Sequence, residues 1–320
     1  MIGCAAIILA GLSYKDKEKY LDYGLVLLKK IINFSFDSEG FPKSRNFRQL
    51  IFYLKYFILI REWLKESQNE IPEYLNEIIF NLGQAYNFSW QNTKESFLFN
   101  GNHIADNSNF DKYLKLHGYK FKNENNECGG YIILKNKNIL LTTDIGPAPE
   151  KKFSNNYQSG TLSFEIYFKG KKLISNSGYF QNYKKKKILE KDYFSIIGSH
   201  DGYLKEYGII HERQIEFFAK SNKFIGKDRL IRKKNFKSTN FEIRFHFEPE
   251  TKITKTQEGK IILIELVNSG WRFFCKDHPI DVETGLYFGK KSSFSENQNI
   301  FISGFTNNQE QEINWEIIKI

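Results

Sequence analysis

The chain has 320 residues, 16% of them aromatic, and a formal net charge of +10. So many aromatic residues exclude a disordered chain, and the length allows a large core and two domains. The positive charge favours a polyanion (acidic polysaccharide, nucleic acid or anionic membrane), but no apolar run approaches the roughly 20 residues of a membrane span.

The chain opens with MIGCAAIILAGLSYKDKEKY. Its apolar stretch has no basic residue before it, so the expectation is a buried helix and not a leader peptide. The chain then begins inside a fold. Leu21, Leu25, Leu28 and Ile32 recur at helical spacing. A loop with Gly40 and Pro42 follows, and Ser44, Arg45 and Asn46 stand where helix caps stand. The next stripe is Leu50, Leu54, Phe57, Ile60 and Leu64. Pro72 suits a first helical position ahead of Leu75, Ile78, Ile79, Leu82 and Tyr86. Phe99 to Asn109 reads as a loop, and the polar run Lys120–Glu127 as a boundary. The expected domains are a helical one over 1–120 and a β domain over 127–320.

From Gly129 the period changes to two. Strands are expected at Tyr131–Leu134, Ile139–Thr143, Leu162–Phe168 and Lys172–Ser175. More follow at Phe241–Phe247, Ile261–Leu266, Trp271–Cys275, Ile300–Ser303 and Asn314–Ile318. In Leu162–Phe168, the apolar face is Leu162, Phe164, Ile166 and Phe168. Many short strands separated by turn residues predict an antiparallel β-sandwich, so the fold class is multidomain α+β. The run Lys184–Lys187 is expected in a loop.

Cys4, Cys128 and Cys275 are far apart and form no metal-ligand spacing. No HExxH or His-x-His pattern occurs, so neither a metal nor a cofactor is expected. No nucleic-acid-binding motif accompanies the charge. His200 and His211 are the histidines best placed for chemistry. His200 and Asp201 are adjacent, and adjacent strand residues point apart, so a joint metal site is disfavoured. Glu165 is expected to pair with Arg213 or Arg244, and His246 to be a plain strand residue.

An ordered set of segments carries a family resemblance. They are AAIILAGL, SEGFPKSRN, LFNG at Leu98–Gly101, DIGPAP at Asp144–Pro149, SGTLSFEIYFKGKKLISNSG, SHDGYLKEYGIIHER at Ser199–Arg213, FEIRFHFEP at Phe241–Pro249, and the Trp-containing strand Ile313–Ile318. Together they resemble heparinase II/III-like proteins, as a truncated or degenerate member. The resemblance implies an incomplete α/α toroid followed by a large antiparallel β-sandwich. It implies a polysaccharide lyase-like activity, β-elimination on uronic-acid-containing glycans, in the cell envelope or periplasm; a cytoplasmic location is the other expectation, since no leader is evident. It implies Arg45, Asn46 and Gln158 as substrate contacts and Tyr157 as a catalytic candidate; the residues themselves add His200 and His211, whose motifs the resemblance places in the sandwich. Gln158 stands where the family usually has His, and the family's AAHxT segment has no counterpart. A non-catalytic protein that binds acidic glycan is therefore the alternative expectation.

Overall fold

The computed structural model describes residues 1–14, 18–91, 97–100, 102, 107–122, 125–154, 157, 160–175, 183–189, 193–233, 238–256, 259–289 and 294–320. The chain divides into two compact units. One comprises Met1–Gly129 with Pro149–Tyr157; the other comprises Gly130–Ala148 with Gln158–Ile320.

The first unit is helical: α1 (Ile2–Ser13), α2 (Glu18–Ser35), α3 (Phe47–Glu66), α4 (Glu73–Tyr86) and α5 (Ser108–Leu116). Helix α1 has no charged residue, and buries Cys4, Ala5, Ile8 and Gly11. A methyl group on Gly11 would meet the Leu21 backbone nitrogen at 2.4 Å, so the glycine is what lets α1 and α2 approach. Helix α3 starts as its sequence predicts. Asn46 is its N-cap, its side chain accepting from Arg48 N–H at 2.9 Å, a bond worth about 1 kcal/mol. Leu50, Leu54, Phe57, Ile60 and Leu64 form its buried stripe. Pro72 is the N-cap of α4, one residue earlier than expected. Helix α5 begins at Ser108, inside the stretch expected to be loop. A two-residue strand, β1 (Glu127–Cys128), closes this part of the chain.

The second unit is built of antiparallel sheets. Strands β2 (Tyr131–Lys135), β3 (Ile139–Asp144), β4 (Phe164–Phe168) and β5 (Lys171–Ile174) pair in sequence. Strand β4 is shorter than its alternation suggests, because Leu162 takes a left-handed turn at φ 65°. Next come β6 (Tyr183–Leu189), β7 (Phe194–His200), the short helix α6 (Leu204–Tyr207), β8 (Ile209–Phe218), β9 (Lys223–Arg232) and β10 (Asn240–His246). The last are β11 (Lys252–Lys255), β12 (Ile261–Leu266), β13 (Ser269–Cys275), β14 (Ile280–Tyr287), β15 (Ser295–Phe305) and β16 (Glu310–Lys319). Lys184–Lys187 thus lies in β6, at the edge of a sheet, and not in a loop.

Among the described residues the largest sheet has eight strands, in the order β11-β12-β13-β16-β9-β8-β7-β6, and a smaller one has the order β10-β15-β14. An isolated bridge, Ser175 with His246, joins the ends of β5 and β10. Apolar side chains from all these sheets meet in one core. The Trp315 indole stacks on Phe164 with ring centres 5.7 Å apart and meets Phe245 edge-on at 5.0 Å. Trp271 meets Phe168 at 5.4 Å. These are sheet-to-sheet contacts, so the layers form a sandwich. Trp63 and Trp90 belong to the helical unit; Trp271 and Trp315 belong to the sandwich.

Candidate functional site

The second unit contains a cavity of about 420 Å³. Its wall is formed by the turn 160–163, the end of β7, helix α6, β8 and β10. Both singled-out histidines line it, and strand register is what brings them together. His200 lies opposite His211 across β7 and β8, and Arg213 lies opposite Asp228 across β8 and β9. Their side chains form one hydrogen-bonded chain. Gly202 N–H donates to His200 Nδ1 at 3.3 Å, leaving the His200 proton on Nε2, 3.0 Å from His211 Nδ1. His211 Nε2 then donates to Asp228 Oδ1 at 2.6 Å. The tautomers are assigned from this network.

Asp228 is fully buried and satisfied on every side. Arg213 Nε donates to Oδ1 at 2.7 Å, and Trp315 Nε1 to Oδ2 at 2.8 Å. Burial pushes its carboxyl pKa up, but the Arg213 charge and the His211 bond outweigh this and hold it well below the usual range. Burial, then the neighbouring His211 and Arg213, push His200 down to about 3, so it stays neutral. Burial likewise lowers His246 to about 4, with Arg244 adding to the effect. The Asn299 side chain, 3.0 Å from His246 Nδ1, opposes that shift.

A histidine with both nitrogens engaged holds protons in place rather than exchanging them with a substrate. The chain also fixes the turn before β4. Arg213, anchored on Asp228, donates to the Leu162 carbonyl at 3.2 Å. Leu162 occupies a left-handed conformation that costs a bulky residue about 1–2 kcal/mol. The anchored guanidinium helps hold it there.

Arg45 and Asn46 lie in the helical unit, and both are buried. Arg45 donates to the Gly129 carbonyl at 3.2 Å through both Nε and a terminal nitrogen. Asn46 caps α3 and donates to the Asn100 carbonyl at 3.1 Å. Tyr157 is half-buried in the same unit, its backbone N–H on Ser154 O at 2.9 Å. Gln158 falls outside the described residues.

One expectation is corrected. Glu165 pairs with neither arginine. It is sealed on the second face of its sheet, 3.2 Å from Lys172 Nζ and 2.6 Å from the Tyr167 hydroxyl. Arg244 instead pairs with Glu242 and Glu283. His246 is the last residue of β10, a strand residue as expected, and it also lines the cavity. Asp228, Tyr203 and Tyr207 were not singled out by the sequence. The available signal for Asp228 was its place in the alternation of β9, where Phe224, Gly226, Asp228 and Leu230 share the inward face. Among the described residues, no group of three or more His, Cys, Asp or Glu could hold a metal ion.

The fold matches solved structures along almost its whole length. Heparan sulfate lyase HepC from Pedobacter heparinus is 13% identical with a TM-score of 0.81, over 99% of this chain and 59% of that one. A heparinase III is 14% identical with a TM-score of 0.78, over 99% of this chain and 60% of that one. The chain thus spans about three fifths of the length of these structures. No curated protein matches it. A family model described as heparinase II/III-like, C-terminal, matches residues 125–194 and 184–316. With most of its length matched by that model, the chain belongs to the heparinase II/III-like family.

Proposed function

We propose that this chain is a polysaccharide lyase-like protein that acts by β-elimination on uronic-acid-containing glycans. The observation that carries this is the family match across the sandwich, residues 125–316. The similarity to a structure named heparan sulfate lyase and the net charge of +10 support an acidic glycan as partner. We read the helical unit as an incomplete α/α toroid and the cell envelope as the compartment.

β-Elimination removes the proton α to a uronate carboxylate and expels the 4-linked sugar. It needs a group that neutralises the carboxylate, a base for the carbon acid and an acid for the leaving oxygen. On this proposal Arg45 and Asn46 neutralise the carboxylate by exchanging their present bonds to the Gly129 and Asn100 carbonyls for it; Gln158 is a sugar contact and Tyr157 transfers the proton. His200 and His211 act through the wall they hold together, since their nitrogens are engaged with Gly202, Asp228 and each other.

A second reading is a protein that holds acidic glycan without cleaving it. The residue Gln158 favours it, because an amide cannot take up or release the proton that elimination moves. One experiment separates the two. The folded protein is mixed with heparan sulfate, alginate and hyaluronan, and both binding and the absorbance of unsaturated uronate product are followed. Product with any of them supports the lyase. Binding without product selects the second reading, and neither binding nor product overturns both.

A further inference from the structure

We propose that the sandwich cavity is a saccharide subsite for an uncharged, hydroxyl-rich sugar ring, not for the uronate. Its volume, about 420 Å³, falls within the roughly 300–1,000 Å³ of small-molecule sites. The described residues of its wall all belong to the second unit.

The electrostatics exclude a strong anion site. Arg213 is matched by the buried Asp228, and Arg244 by Glu242 and Glu283. His200 and His246 are held neutral by burial. A carboxylate or sulfate entering here would meet no unmatched cation among these residues, and would have to lose its hydration.

The polar atoms left over suit hydroxyl groups. Arg213 uses Nε and one terminal nitrogen, and its other terminal nitrogen has no partner among the described residues. His246 uses Nδ1 on Asn299, which leaves Nε2 as an acceptor at the wall. The Tyr207 hydroxyl has no partner among the described residues, and the residue is 44% exposed. Donor, acceptor and a group that can do either are the complement a sugar hydroxyl set requires. The rings of Tyr203 and Tyr207, with centres 6.3 Å apart, supply apolar faces for the carbon skeleton of a sugar.

This inference rests on the proposed glycan partner only for the source of the sugar, an uncharged residue alternating with uronates. Its test is a nuclear magnetic resonance titration of the whole chain with neutral chitobiose and, separately, glucuronic acid, at low and high salt. The expected result is that chitobiose binds, salt leaves its affinity unchanged, and glucuronic acid binds more weakly. Tyr207→Ala weakens chitobiose about tenfold, while Tyr207→Phe, which keeps the ring, weakens it less. Glucuronic acid binding more tightly than chitobiose, no chitobiose binding, or full affinity in Tyr207→Ala overturns the subsite. The polysaccharide experiment above is run on the same sample. Polysaccharide bound or cleaved without chitobiose binding refutes the subsite alone. Chitobiose binding with no response to any acidic polysaccharide refutes the proposed function alone.

Discussion

Asp228 carries two strong hydrogen bonds on one carboxylate oxygen and an indole N–H on the other, all inside the sandwich. Replacing it with Asn removes the charge that Arg213 faces and forces an amide N–H against a donor. Breaking a buried pair from one side costs about 3–5 kcal/mol, so Asp228→Asn should lower the urea midpoint of the sandwich by that equivalent. Trp315→Phe removes one bond to the same carboxylate and should cost less from that bond, about 1 kcal/mol, on top of any repacking. A near-neutral Asp228→Asn would mean that the network is not a structural keystone. Tyr157 tests the chemistry instead. If Tyr157 transfers a proton in elimination, Tyr157→Phe lowers kcat by roughly 10²–10⁴ with little change in KM. Equal rates in the two proteins would remove it from the mechanism.

Strand β9 shows why part of the fold was hidden at the level of elements. Its inward positions alternate as a buried strand should, but two of the four are Gly226 and Asp228. The hydrophobic pattern is therefore broken where the strand does most for the site. Gly226 faces Trp315 across β9 and β16, and a methyl there would sit 1.9 Å from the indole. Gly226→Ala must displace a ring packed against Phe164 and Phe245, so a loss of about 1–3 kcal/mol or more is expected in chemical denaturation. Strands such as β10 and the β4 core were legible because their inward residues are Phe and Ile. Helix α3 was legible from its cap and its stripe together. His200 and His211 were visible as histidines near SHDGY and IIHER, but their meeting depends on the register of β7, β8 and β9. The sealing of Glu165 had a similar cause: its sheet is covered on both faces, so a period of two did not mark an exposed side.

At the scale of the whole sandwich, the buried histidines make stability depend on pH. Their native pKa values, about 3 for His200 and about 4 for His246, lie below the ordinary 6.5. The unfolded chain therefore binds more protons between those limits. Stability is complete above pH 6.5 and falls as the pH drops toward 4, by up to about 1.4 kcal/mol per pH unit for each histidine. Urea midpoints should fall steadily over that window, and His246→Gln should flatten the decline. A flat wild-type profile would contradict neutral burial of the two rings. The placement of tryptophan makes such measurements selective. With two indoles in each unit, Trp63→Phe combined with Trp90→Phe leaves an emission spectrum that reports on the sandwich alone. The converse pair would cost the sandwich the Trp315 bond to Asp228 and its Phe contacts, as Trp90→Phe costs the helical unit the Trp90 bond to Asp111 at 2.9 Å. The chain thus offers a one-sided optical label, and comparing its unfolding curve with far-ultraviolet helix loss reveals whether the two units melt as one.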